Sequence, residues 1–432
     1  MQENSFSPVT NLMSFHLKYL ILITLICLGK NVYAQKVLQY QNRTYEPTIK
    51  TVQLYPDGNS VQSVLDPPVV QMGSRRPLVL EFDDLKEDAD YYFVRLIHCD
   101  ADWTPSRLRP TMYLNSFNQF EIEDFEFSSE SKVNYVHYRF TLPNVTYPGN
   151  YLVVVYRDRN EEDIILSRQF MVYDNLVGVG GNVQRSTSVS KRLSNQRIEV
   201  TVNYDGLRSI KPNEDFQVIV RQNQRPDQLK TLKTTFINEA DQLLRFQNMG
   251  DENDFPGGNE FRAFDISTIN FSGRNINEIG FRDNTAFAQV RTDLEANPVY
   301  FQTLDINGNF FTNDSEGVIS DINGEYVQVE FRLDYQEIND PIYVVGSFNN
   351  WEMNEDSQMK YDILEKKYTN TILLKQGWYN YAYLVGSGTP SEIEKSFFET
   401  ENEYEIFVYY TAMGARGDKL VGYQKIRYNA RR

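Results

Sequence analysis

Cysteine is nearly missing from this 432-residue sequence, which holds only Cys27 and Cys99. Cys27 falls in an N-terminal leader, so a single thiol remains and no disulfide framework can form. Histidine is as scarce: three in all, of which only His98 and His137 follow the leader. Serine-nucleophile elbows, HExxH, phosphate-binding glycine loops and paired cysteines are absent. The sequence therefore supports no enzyme activity and implies no cofactor. After the leader no apolar run is long enough to span a bilayer, and no amphipathic pattern is long enough for a major helix. Basic residues are outnumbered, 43 Lys and Arg against 59 Asp and Glu, for a net charge of −16. Such a chain does not wrap nucleic acid by charge and is repelled by anionic lipid.

What is present begins with that leader. Lys18 precedes the apolar run YLILITLICLG, and a small residue, Ala34, precedes Gln35. This is the pattern of a secretory signal peptide over residues 1–34, with the mature chain starting at Gln35. Ile26 before Cys27 does not fit a lipoprotein site. Beyond it, β-branched and aromatic runs dominate: YVHYRFTL, YLVVVYRD, RIEVTVNY, DFQVIVRQ, YVQVEFRLDY, WYNYAYLV and YEIFVYY. Turn signals such as YPDGN, FPGGN, INGN and GSGTP separate them. Many short strands without helical crossovers predict an all-β protein of tandem immunoglobulin-like sandwiches, early-set or fibronectin-III-like. Composition breaks near Asn175 and within LEANPVYFQTLDINGN divide it into units at 35–174, 175–300 and 301–432.

The stretch RLIHCDADWTPS, Arg95 to Ser106, looks most like a reactive centre. His98, Asp100 and His137 have the His-x-Asp…His form of a non-haem iron triad. Strand alternation separates them. His98 shares a face with Tyr92, Val94 and Leu96, an apolar one, whereas His137 shares its face with Tyr135, Arg139 and Thr141, opposite Val136 and Tyr138. The sequence therefore assigns no metal site. Cys99 lacks a base and is read as a small apolar residue, and Asp100 and Asp102 as caps of a turn. Arg416-Gly417-Asp418 reads as a polar turn, and Asp251, Glu252, Asp254 and Glu260 as a solvated loop lacking the ligand alternation of a calcium site.

Two resemblances follow from longer strings. FVRLIHCDADWTPSRLRPTMYLNSFNQFEIEDFEFS, with YVHYRFTLPN, PGNYLVVVYRD and RQFMVYDN, closely resembles the first domain of type IX secretion system plug proteins, and FPGGNEFRAFDI resembles that family's middle domain. The resemblance implies a periplasmic, non-enzymatic monomer. Its partner is the giant outer-membrane β-barrel translocon, which it seals at rest, so that it is peripheral to the membrane through a protein. IYVVGSFNNWEMN followed by KQGWYNYAYLV is similar to early-set carbohydrate-binding modules, which implies Trp351 as the candidate glycan or partner contact. The second tryptophan of that platform is missing after the following strand, and Trp378 lies inside it. An exported glycan-binding protein is thus the alternative reading.

Overall fold

The structure, a computed structural model, describes residues 36–430 apart from 59, 130, 314–321 and 387–391. The expected leader lies outside the described residues. From Leu38 onward the chain forms one unit built of three packed sandwiches. No described helix is long and apolar enough to cross a membrane. The helices are single turns, such as Val61–Leu65, where the Ser60 hydroxyl accepts from the Ser63 amide.

In the first sandwich, strands Ile164–Tyr173, Gly149–Arg157 and Tyr92–Cys99 lie side by side. They face a sheet of Ile49–Pro56, Leu78–Asp84, Val136–Thr141 and Asp124–Phe127. Tyr92, Val94 and Leu96 point into the core, as the alternation predicts, against Phe82 and Tyr138 from the facing sheet. The last two rings stack at 5.1 Å. Gly149–Arg157 is apolar on both faces because it is covered on both: Val153 and Val155 enter the main core, while Leu152 and Val154 meet Cys99 and Ile164 behind it.

The next two sandwiches are nested. The chain enters the middle one through Gly178–Arg185, Asn195–Asn203 and Phe216–Gln222. It then leaves to build a complete further sandwich, whose core runs from Phe264 to Ile393. It returns for the last two strands, Asn402–Tyr410 and Lys419–Tyr428. Asn402–Tyr410 pairs with Phe216–Gln222 in an unbroken antiparallel register from Phe216↔Tyr410 to Gln222↔Tyr404. Tyr404, Ile406 and Val408 thereby complete the core of Val200, Val202, Val218 and Val220. This corrects the linear division at 300/301. The turn-rich stretch taken for a boundary is a segment of the inserted sandwich, and the true crossings are the short runs around Gly257 and Phe397. Within the insert, Thr285–Val290 pairs in parallel with Tyr326–Asp334, and that strand pairs antiparallel with Lys367–Lys375.

Candidate functional site

Most of the residues singled out in the sequence fall on the three joints between sandwiches. At the joint of the first and middle sandwiches, strand Tyr92–Cys99 ends in the turn that carries His98, Asp100 and Asp102. His98 is buried, with Nδ1 2.9 Å from the Ser106 hydroxyl and its ring edge-on to Tyr151 and Tyr147. Burial pushes its pKa down to about 4. A Cβ at Gly149 would stand 2.2 Å from His98 Nε2, so only glycine lets the two strands approach this closely. The Asp100 carboxylate accepts from the Asp418 amide at 2.9 Å, and Asp418 accepts from the Ala101 amide at 3.0 Å. Tyr147 donates to the Gly417 carbonyl, and Tyr409 to Asn150. Gly417 and Asp418 are therefore folded against HCDADW, while Arg416 is exposed and tied down through its carbonyl, which accepts from the Arg107 amide. Asp102 caps the turn by accepting from the Thr104 amide and hydroxyl. Around these bonds Val69, Ala101 and Met171 meet Ile219, Phe407, Tyr409 and Leu420. Cys99 is fully buried, which pushes its thiol up to about 12 and leaves no thiolate near neutral pH.

His137 sits in the opposite sheet and serves the other joint, between the first and inserted sandwiches. Its Nδ1 is 2.8 Å from Asp83 Oδ1. Asp83 Oδ2 accepts from the Tyr326 hydroxyl at 2.6 Å and the Lys375 ammonium at 2.8 Å, both across the joint. Tyr326 also meets the Thr51 hydroxyl, and Lys375 lies 4.2 Å over the Tyr135 ring. Asp83, Lys375, Tyr326 and Tyr135 are all buried. Burial alone would push the Asp83 carboxyl up, but Lys375 and His137 outweigh it and hold it below the usual range. Burial opposes a charge on His137, and Asp83 outweighs that, raising its pKa. His98, Asp100 and His137 are thus not brought together. Among the described residues no group of three His, Cys, Asp or Glu is placed to hold a metal.

The third joint is FPGGNEF. A Cβ at Gly257 would stand 2.0 Å from the Phe397 carbonyl oxygen, because outgoing and returning chains touch there. The Gly257 amide bonds Ser194, and the Phe397 amide bonds Gly258. Asp305 accepts from the Phe261 and Asn307 amides; burial, aided by nearby Glu260, pushes it up to about 7 against those bonds. Trp351 belongs to this joint as well. It is 7% exposed, edge-on to Phe261 at 5.6 Å, with the Arg225 guanidinium 4.3 Å over its ring. The stacking face that a sugar would use is occupied from within the chain. Asp251, Glu252, Asp254 and Glu260 diverge: Asp251 pairs with Lys191, whereas Asp254 and Glu260 are buried.

Asp83, Lys375, Tyr326, Arg225 and Phe261 were not singled out from sequence. The available signal was a charge pair ending the strand LVLEFDD, every residue of which, Glu81 included, is buried. Comparison with known proteins agrees with this layout. Residues 49–174 match the family model described as the type 9 secretion system plug protein 1st domain. The first sandwich belongs to the plug-protein family. The plug domain is thus the sandwich that contributes to both charged and uncharged joints. The chain is also similar to the crystal structure of a hypothetical protein from Parabacteroides merdae, at 29% identity and a TM-score of 0.84, covering 91% of this chain and 100% of that one. No curated protein matches.

Proposed function

We propose that this protein is a non-enzymatic periplasmic plug of the type IX secretion system, which binds the outer-membrane translocon barrel and seals it at rest. The observation that carries the reading is the plug-family first domain. Its fusion to two further sandwiches through buried joints adds support. A pore that passes folded proteins needs a folded body of fixed shape to close it. Here the chain crosses between middle and inserted sandwiches twice at one place, and buried side chains, not a linker, hold the first sandwich to both. Reversible release requires a modest, largely polar interface, which suits a monomer with an acidic surface. Export by residues 1–34 and attachment to the outer membrane through the barrel are part of the same proposal. The glycan alternative loses its motivating residue, because Trp351 is covered.

A barrel without its seal should admit antibiotics of a kilodalton or more. Vancomycin sensitivity should rise in a deletion strain and return to the wild-type level when the barrel is deleted too, while secretion falls little. Unchanged sensitivity in the single deletion, or equal sensitisation without the barrel, would refute the plug reading.

A further inference from the structure

We infer that the open cleft beside residues 294–304 of the inserted sandwich is a docking site for an extended segment of a protein partner, one that presents carboxylates next to apolar side chains. This rests on the plug reading, in which the partner is the translocon barrel. The cleft has a volume of 460 Å³, and its walls include Arg262, Arg274, Arg291, Leu294, Val299 and Phe301. That is room for a few side chains of a bound peptide.

Its apolar wall is held in place. Residues 295–305 form neither strand nor helix, yet they are tied down on one side: the Ala296 amide bonds Ile393, Tyr300 bonds Glu260, and Asp305 takes the Phe261 amide. The opposite side displays Leu294, Val299, Phe301 and Leu304 at 62, 70, 74 and 59% exposure. Four large apolar side chains exposed within eleven residues, three of them on the cleft wall, are the kind of display that marks an interaction surface. Preorganisation of this sort lowers the ordering cost of binding.

Charge selects the partner. Arg262 is committed to Asp293 and Glu394 at 2.8 and 3.0 Å, and Glu295 is taken by Lys395. Arg274 and Arg291 have no ion pair among the described residues; Arg274 lies 5.3 Å over Trp378 and reaches the Leu304 carbonyl. The carboxylates on the cleft walls are each engaged, Glu260 by Tyr300, Asp293 and Glu394 by Arg262, and Glu295 by Lys395, so these two cations are the wall charges left to meet a partner's carboxylates. A segment with carboxylates opposite them and apolar residues on Val299 and Phe301 satisfies both walls, and guanidinium donors suit carboxylates in two-point contact.

The test uses the purified full chain and the purified barrel in detergent. Val299→Ser with Phe301→Ser should weaken binding at least tenfold. Arg274→Glu with Arg291→Glu should do the same and flatten the salt dependence of the association rate. Leu364→Ser, altering a residue 94% exposed elsewhere, should change nothing. A photo-crosslinking residue in place of Phe301 should join the two proteins, which guards against a variant that misfolds. If the wild-type chain binds and both double variants bind equally well, the cleft is not the site while the plug reading stands. If the wild-type chain does not bind the barrel, both readings fall.

Discussion

The plug domain meets its two neighbours through joints of opposite character. Against the middle sandwich it presents an apolar centre, in which carboxylates accept from backbone amides and a hydroxyl: Asp100 from the Asp418 amide, and Asp418 from the Ala101 amide and the Thr411 hydroxyl. Against the inserted sandwich it buries an ion pair, Asp83 with Lys375, to which His137 and Tyr326 are bonded. An apolar joint loses stability in proportion to the atoms removed from it. A buried charged joint tolerates loss of the whole pair better than loss of one partner, because a lone charge keeps its full desolvation penalty. The same distinction means that one joint is weakened by gaining a charge, at His98, and the other by losing one, at Asp83 or Lys375.

The largest expected effect follows directly. Lys375→Met leaves Asp83 buried without its cation and should destabilise the chain by about 3–5 kcal/mol in denaturant unfolding at pH 8. Adding Asp83→Asn should recover most of that loss. At pH 6 the single variant should lose less, since His137, its pKa already raised by Asp83, can then carry the positive charge. Equal losses in the single and double variants would mean that the pair is not the organising feature of this joint.

The histidines should respond to pH with opposite signs. His98 is depressed to about 4 in the folded chain. The unfolded chain therefore binds more protons between pH 6.5 and 4, and the folded state loses stability as pH falls through that window, by about 3 kcal/mol at its foot. His137 is raised, so its contribution is fully present below pH 6.5 and is lost as pH rises through its folded pKa. Asp83 is depressed, so the charged joint fails only at lower pH still, as pH falls through the folded pKa of that carboxyl. Melting temperatures from pH 4 to 8 should show His98→Gln flattening the acid side and His137→Gln flattening the neutral side. The same change in slope from both variants would dissolve the contrast between the joints.

The elements of these joints were legible in the sequence, whereas their partners were not. Alternation in YVHYRFTL correctly turned Val136 and Tyr138 into the core and His137 away from it. It could not show that a second sandwich covers the outward face, which is what turns Asp83 and His137 from surface residues into a buried cluster. Lys375 at the end of TNTILLK reads as a solvated strand end for the same reason. The nested insertion was hidden because YEIFVYY alternates no differently from any other strand. Its pairing with DFQVIVRQ spans the whole inserted sandwich and leaves no local mark. In GSFNNWEMN the turn was readable, with Asn350 left-handed at φ 55°. The cover over Trp351 was not, because Arg225 comes from the middle sandwich.

A smaller effect belongs to the apolar joint. Tyr409→Phe removes the 2.8 Å bond to Asn150, a residue with no exposure. The expected cost is about 1–2 kcal/mol, since the Asn150 oxygen is left without that donor inside the joint. It should be the same at pH 6 and pH 8, in contrast to Lys375→Met. A cost that changes with pH would show that the Tyr409 joint also depends on a nearby charge.

The smallest effect is expected at the third joint, where Trp351 is held by a cation and a ring. Trp351→Phe keeps an aromatic face under Arg225 and an edge against Phe261, giving up part of the cation–π attraction and some contact area. The loss should be about 1 kcal/mol. Neither wild type nor variant should be retarded by starch or glycogen in affinity electrophoresis, because a buried indole offers no face to a glucose ring. Retardation of the wild type that disappears in Trp351→Phe would require the joint to open, exposing a ring that packs as interior, and would restore the glycan-binding reading at the expense of a fixed arrangement of the three sandwiches.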